Sequence, residues 1–292
     1  MKLVVFGLGY TSQAFVRRIA RRFEAIVATR RALPPIAGGE GAGAATTLRA
    51  FPGDEATLAR DIAEADAILV SVPPDLALPA PHDPVLAAFA EAIRQAPKLR
   101  WLGYLSTIGV YGDHHGAWVD EETPPRPVSR RSRERLVTEE AWLGLGAVPV
   151  HVFRIAGIYG PGRSAFDKLA AGKAQRIVKP GQVFNRAHVE DIATILDASL
   201  AKPRPGAIYN VTDDEPSPPQ DVIVEAARLA GIEPPPEIPY DEAGMSPMAA
   251  SFWGETKRVS NRLIREELGV SLAYPTYREG LRGILERRSM HL

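Results

Sequence analysis

The first thirty residues dictate how the rest of the chain can fold. An apolar run, Leu3-Val4-Val5-Phe6, leads straight into Gly7-Leu8-Gly9-Tyr10-Thr11-Ser12. The run has the length and β-branched character of a buried parallel strand. From Gln13 to Phe23 the residues Phe15, Val16, Ile19, Ala20 and Phe23 recur on one face, which predicts a helix. Ala25 to Thr29 then reads as a second strand and completes a β-α-β unit. A G-x-G-x-x-S turn between strand and helix suits a phosphate: glycine lets the backbone bend and approach, and a helix N-terminus offers unpaired N–H groups. Ser12 stands where a third glycine is usual and is small enough for close packing.

The turn and its neighbours therefore predict a dinucleotide site made by Gly7, Gly9, Tyr10, Thr11 and Ser12. The second strand ends in Thr29-Arg30-Arg31 rather than in an acidic residue. Arginine suits a 2′-phosphate, so the expected cofactor is NADP, with NAD as the variant. Two solvated arginines in an arginine-rich chain would look the same at this position.

The chain has 292 residues, enough for one large domain or two closely joined ones. Thirty-five basic and 35 acidic residues cancel, which argues against nucleic acid and membrane surfaces as partners. Arg17-Arg18 and Arg21-Arg22 read as the solvated side of the first helix. There is no cysteine, so thiol nucleophiles, disulfides and thiolate metal sites are excluded. His114-His115 reads as an exposed turn, and no metal site is expected. Met1-Lys2 runs directly into the first strand, and no apolar run reaches the roughly 20 residues of a membrane span. The expectation is a soluble cytoplasmic protein acting on a small molecule.

Further along, Thr46 to Ala50 predicts a strand, Glu55 to Ala63 a helix and Asp66 to Val72 a buried strand stopped by Pro73-Pro74. Ala32 to Ala45 is a Pro, Gly and Ala loop. Ser71, Val72 and Pro73 lie where strand ends of a parallel sheet face a cofactor. Asp83-Pro84 opens a helix reaching Ala96, Arg100 to Ser106 is a strand, Arg130 to Leu143 a helix and Val148 to Ile155 a strand. The pattern then loosens, with a helix from about Val189, a strand at Ile208 to Val211 and a helix at Gln220 to Ala230. Alternation of this kind predicts an α/β fold, a doubly wound parallel Rossmann sheet with a smaller C-terminal substrate lobe.

Several landmarks fall in one order: the G-x-G-x-x-S turn, S-T-x-x-V-Y-G at Ser106 to Gly112, and Val119 to Pro124 approximating P-x-x-E-x-x-P. Then come R-x-x-x-x-Y-G-P-G at Arg154 to Gly162, H-V-x-D at His188 to Asp191, Y-N-V at Tyr209 to Val211, and a leucine-glycine-proline tail at Leu263 to Pro275. The chain thereby resembles the extended short-chain dehydrogenase/reductases of the epimerase/dehydratase type. That resemblance implies a dinucleotide-binding domain of residues 1–156 with 186–212, a substrate lobe of 157–185 with 213–292, and a homodimer.

One departure matters. The family's chemistry rests on Tyr-x-x-x-Lys, whose spacing puts both side chains on one helix face and lets lysine lower the tyrosine's pKa. The matching positions here are Arg131 and Arg135. A guanidinium has no usable acid-base step near neutral pH. This resembles the atypical members that keep the nucleotide fold and lose that pair. Thr107 matches the hydroxyl that bonds the reacting oxygen, Tyr111 is a stand-in proton carrier, and Asp83 falls where the resemblance places a structural asparagine. Arg131 and Arg135 would then bind an anionic substrate, and Lys179, Gln182, Asn185 and Arg186 sit where family members line the substrate pocket. Two functions stay open: an atypical NADP-dependent oxidoreductase or epimerase/dehydratase-like enzyme, and a catalytically silent NADP-binding sensor or regulator.

Overall fold

The structure, a computed structural model, describes residues 1–33 and 46–289. Most of the loop expected over Ala32 to Ala45 lies outside the described residues. In chain order the elements are β1 (Lys2–Phe6), α1 (Tyr10–Ile19), β2 (Ala25–Arg30), β3 (Thr46–Ala50), α2 (Glu55–Ala63), β4 (Ala67–Val70), α3 (Pro84–Arg94) and β5 (Trp101–Thr107). There follow β6 (Trp118–Val119), α4 (Arg130–Leu143), β7 (Val150–Ile155), β8 (Gly157–Tyr159), α5 (Ala165–Ala170), β9 (Arg176–Val178), β10 (Arg186–His188) and α6 (Val189–Ala201). The chain ends with β11 (Ile208–Val211), α7 (Pro219–Ala230), β12 (Glu237–Pro239), α8 (Pro247–Trp253), β13 (Arg258–Val259), α9 (Arg262–Glu266) and α10 (Tyr277–Ser289).

A seven-stranded sheet in the order β11-β7-β5-β4-β1-β2-β3 forms the centre, and every pairing in it is parallel. The order reverses between β1 and β4, which opens a crevice at the carboxyl ends of those strands. Apart from the edge strand β3, whose residues are half-buried or exposed, the strands are buried on both faces. Leu3 and Val5 pack with Phe15, Val16 and Ile19 of α1 and Ile192 and Leu196 of α6. Val4 and Phe6 pack on the other side with Leu58 and Ile62 of α2, Phe89 and Ile93 of α3 and Trp142 of α4. This two-sided burial is why the strands read as continuous apolar runs instead of alternating ones. The result is the predicted doubly wound sheet.

Helix α1 begins at Tyr10, three residues before the expected start, and Gly9 is its N-cap. Thr11 and Ser12 are polar yet buried, so hydrophobic periodicity alone could not place the boundary. Three small parallel pairings went unpredicted: β8 with β10, β9 with β12 and β6 with β13. Strands of two or three residues carry too little alternation to be read. Around them stand separate apolar clusters, one joining Tyr159, Phe166, Ile223, Tyr277 and Leu281 and another joining Ile177, Ala243 and Trp253. Among the described residues no helix is long and apolar enough to cross a membrane.

Helix α4 is the least apolar of the sheet-covering helices, and a charge pair holds it down. Glu139, 1% exposed, receives Arg154 Nε at 3.1 Å and Arg154 Nη2 at 2.8 Å, and Arg154 of β7 is 4% exposed. The Ser106 hydroxyl of β5 also donates to Glu139. Breaking a buried pair from one side leaves an uncompensated charge. Glu139→Ala should therefore lower the free energy of denaturant unfolding by about 3–5 kcal/mol. A Glu139→Leu, Arg154→Met double variant should recover most of that loss, and a double variant as unstable as the single one would refute this account.

Candidate functional site

At the crevice, Gly7 adopts φ +88°, and its N–H donates to Thr29 Oγ1 at 2.9 Å. Leu8 N–H donates to Thr29 O at 2.8 Å, so β2 holds the turn from below. A Cβ on Gly7 would lie 3.2 Å from Val72 Cγ2 and 3.4 Å from Ser71 C, which shows how tightly the turn rests on the end of β4. Gly9 differs: a Cβ there would meet nothing within 4 Å, so the turn faces open space. No side chain caps α1, leaving the first N–H groups of Tyr10, Thr11 and Ser12 directed into that space. Ser12 is fully buried with its Oγ unpartnered. At the end of β2, Arg30 is half-buried with no partner for its Nε among the described residues, and Arg31 is exposed. This constellation fits a diphosphate with a ribose beyond it. Pro73 follows Ser71 and Val72 along the same edge.

The candidate catalytic residues separate. Thr107 ends β5, half-buried, with Oγ1 accepting the Gly109 N–H at 3.1 Å. Ser132, which the sequence reading did not single out, comes to the same loop: its Oγ lies 2.9 Å from where a Cβ on Gly109 would stand. Its signal was available in the Ser129 N-cap, whose Oγ accepts the Ser132 N–H and donates to the Ser132 hydroxyl. Tyr111 is fully buried, its ring 4.9 Å from the Arg154 guanidinium and its hydroxyl donating to Asn210 Oδ1 at 2.8 Å. Burial raises its pKa, partly offset by Arg154. Asp83 caps α3, accepting from Val85 N and Leu86 N with one oxygen and from Trp142 Nε1 with the other. The structure thus places the polar atoms of Tyr111 and Asp83 inside the protein and already engaged.

The arginines at the Tyr and Lys positions also diverge. Arg131 is exposed and makes no ion pair among the described residues. Arg135 turns inward, with Nη1 donating to the Tyr104 hydroxyl at 2.9 Å and to Leu105 O at 3.2 Å. Tyr104 is pushed up to about 12 by burial, against the opposing charge of Arg135.

In the second lobe, Asn185 Nδ2 donates to Lys257 O and Asn185 Oδ1 accepts the Val259 N–H, and Gln182 Nε2 donates to Glu255 O. Arg186 Nη1 donates to Phe184 O and Ser217 Oγ, and Lys179 Nζ reaches Trp253 O. Lys179, Gln182 and Asn185 brace the backbone around β13 and its approach, and Arg186 braces the bridge between Phe184 and Ser217. Asp191 does likewise, accepting from Ala273 N at 2.8 Å and Tyr274 N at 3.0 Å. His188, fully buried, accepts the Glu190 N–H, and burial lowers its pKa to about 4. Among the described residues no group of three or more metal-ligating side chains converges.

Asp213, just beyond β11, was not foreseen. It is 2% exposed, and neither carboxylate oxygen has a well-formed hydrogen bond. Burial pushes its pKa up to about 8, opposed by Arg186 and by weak help from the Glu215 amide. It borders a cavity of about 340 Å³ that Trp118, Arg262 and Arg265 also line. Its own sequence neighbourhood, Thr212 to Glu215, looks like an ordinary acidic turn, and only the fold removes its partners.

No family model matches the chain. Protein YeeZ of Escherichia coli (strain K12) is 31% identical over 216 residues, covering 73% of each chain. A conserved protein of unknown function from Silicibacter pomeroyi DSS has a solved structure with a TM-score of 0.87 at 46% identity, covering 98% of this chain and 99% of that one. The human epimerase family protein SDR39U1, isoform 2, solved with NADPH, has a TM-score of 0.71 at 16% identity, with 98% and 99% covered. Other solved structures of this fold carry NAD. The sheet order, the glycine-rich turn at the switch point and these likenesses define a class, the NAD(P)-binding Rossmann proteins. Within that class the chain belongs to the extended short-chain dehydrogenase/reductases of the NAD-dependent epimerase/dehydratase type.

Asp213 gives a pH test. Its carboxyl ionises near 3.8 when unfolded and near 8 when folded, so its contribution to stability is complete below about pH 4 and is lost as pH rises toward 8. Asp213→Asn should therefore stabilise the protein by up to about 5 kcal/mol at pH 8 and leave it unchanged at pH 4. Thermal unfolding at the two pH values checks this, and an equal effect at both would overturn it.

Proposed function

We propose that the chain binds NADP and works as an atypical oxidoreductase or epimerase/dehydratase-like enzyme on an anionic small molecule. The observation that carries this reading is the open turn at Gly9, faced by the uncapped N-terminus of α1. Arg30, whose Nε has no partner among the described residues, and Arg31 supply cations at the end of β2, where a 2′-phosphate would lie. The dinucleotide supplies or accepts hydride when bound. Thr107 presents a hydroxyl at the carboxyl end of β5, and Arg131 offers an exposed guanidinium in the first turn of α4 for a carboxylate or phosphate. A second reading, a catalytically silent NADP-binding regulator, is favoured by one feature: the position that should hold a phenol holds Arg131, and Tyr111 is buried.

Titration with NADPH and NADH, followed by nicotinamide fluorescence and thermal stability, tests both readings at once. NADPH should bind more tightly, and replacing Arg30 and Arg31 together should remove at least about tenfold of that preference. If neither nucleotide binds at millimolar concentration, both readings fall. Turnover separates them: with a substrate that oxidises bound NADPH, Arg131→Glu should raise KM by roughly tenfold and leave kcat near its original value. An unchanged KM removes Arg131 from the site.

A further inference from the structure

A cavity of about 610 Å³ lies behind the glycine-rich turn, among α1, α6 and α10. Its volume is that of a small-molecule site. Val189, Ile284 and Pro161 give it an apolar floor, and Arg17, Arg287, Arg288 and the carboxylate of Glu190 stand around it. Arg287 is oriented by Glu190 at 3.3 Å and by the Tyr274 hydroxyl at 3.2 Å, and Arg288 by Asp167. Those partners engage only part of each five-donor fork. Arg17 is exposed and makes no ion pair among the described residues, so the lining keeps a positive excess.

Tyr10 separates this cavity from the turn. Its backbone starts α1 at the dinucleotide crevice, and its side chain walls the cavity, with the hydroxyl donating to Pro161 O at 3.0 Å. Gly160 passes so close that a Cβ there would come within 2.5 Å of that hydroxyl, which fixes the ring in place.

We propose that this cavity is a second anion site, distinct from the dinucleotide turn, that takes a phosphorylated small molecule with an apolar body. The phosphate would lie against Arg17 and the free edges of Arg287 and Arg288, and the apolar body over Val189 and Ile284. Neither the hydride chemistry nor the crevice needs such a site, so it stands apart from the function proposed above.

Inorganic pyrophosphate, titrated calorimetrically at constant ionic strength, is the probe. Because the turn also attracts phosphate, the background is Gly9→Asp. Its Cβ would face open space and aspartate is a favoured N-cap, so the fold is kept while the new carboxylate repels anions from the turn. That variant should still bind pyrophosphate, and adding Arg17→Glu or Arg17→Gln should weaken binding by roughly tenfold or more and threefold or more respectively. Arg21→Glu, an exposed charge outside the cavity, should leave binding unchanged. Loss of binding in Gly9→Asp alone, equal losses from Arg17→Glu and Arg21→Glu, or no effect of either Arg17 change overturns the proposal.

Discussion

The buried pair of Glu139 and Arg154 organises the carboxyl side of the sheet. It joins α4 to β7, and through the Ser106 hydroxyl it reaches β5. Arg154 then stands beside the Tyr111 ring, whose hydroxyl meets Asn210 of β11, and the Asn210 N–H in turn meets Glu121. One chain of charge and hydrogen bonds thus runs from α4 across the sheet to its outer edge. Such a pair gains little net energy after desolvation, but its geometry is strict. That strictness sets where Thr107, Ser132 and Arg131 can stand.

The site has two contrasting halves. The turn at Gly7 to Ser12 is open at Gly9, and no side chain caps the first N–H groups of α1, the arrangement that suits an anion. Beside Thr107 the polar groups are already engaged: Asp83 with α3 and Trp142, Arg135 with Tyr104, Tyr111 with Asn210. The Thr107 hydroxyl accepts the Gly109 N–H, and the Arg131 guanidinium makes no ion pair among the described residues. An open turn on one side, and on the other phenols that are buried and already engaged, is the physical content of the word atypical for this chain.

How much could be read in advance follows from the range of the forces involved. The β1-α1-β2 unit was legible because buried strands and an amphipathic helix write their pattern into adjacent residues. The bounds of α2, β3, α4 and β11 followed from the same local signal. The early start of α1 did not, because Thr11 and Ser12 are polar residues buried by packing. Nor did β6 and β13, which are short and pair across a long stretch of sequence. The polar residues Gln182 and Asn185 look the same on paper whether they line a pocket or hold a backbone. Their amide contacts to Glu255, Lys257 and Val259 show the second use.

By itself the sequence determined the alternation of strands and helices that makes the central sheet, the glycine turn between β1 and α1, and the two arginines, Arg131 and Arg135, of α4. These are properties of neighbouring residues, set by backbone freedom, periodicity and side-chain chemistry. Only the tertiary structure decided that Arg135 turns inward while Arg131 is exposed, that Tyr111 is enclosed, and that Asp213 has no good partner among the described residues. It also decided that Arg17 meets Arg287 and Arg288 around one cavity. Side-chain direction and desolvation depend on what distant segments bring alongside, and no local pattern carries that information.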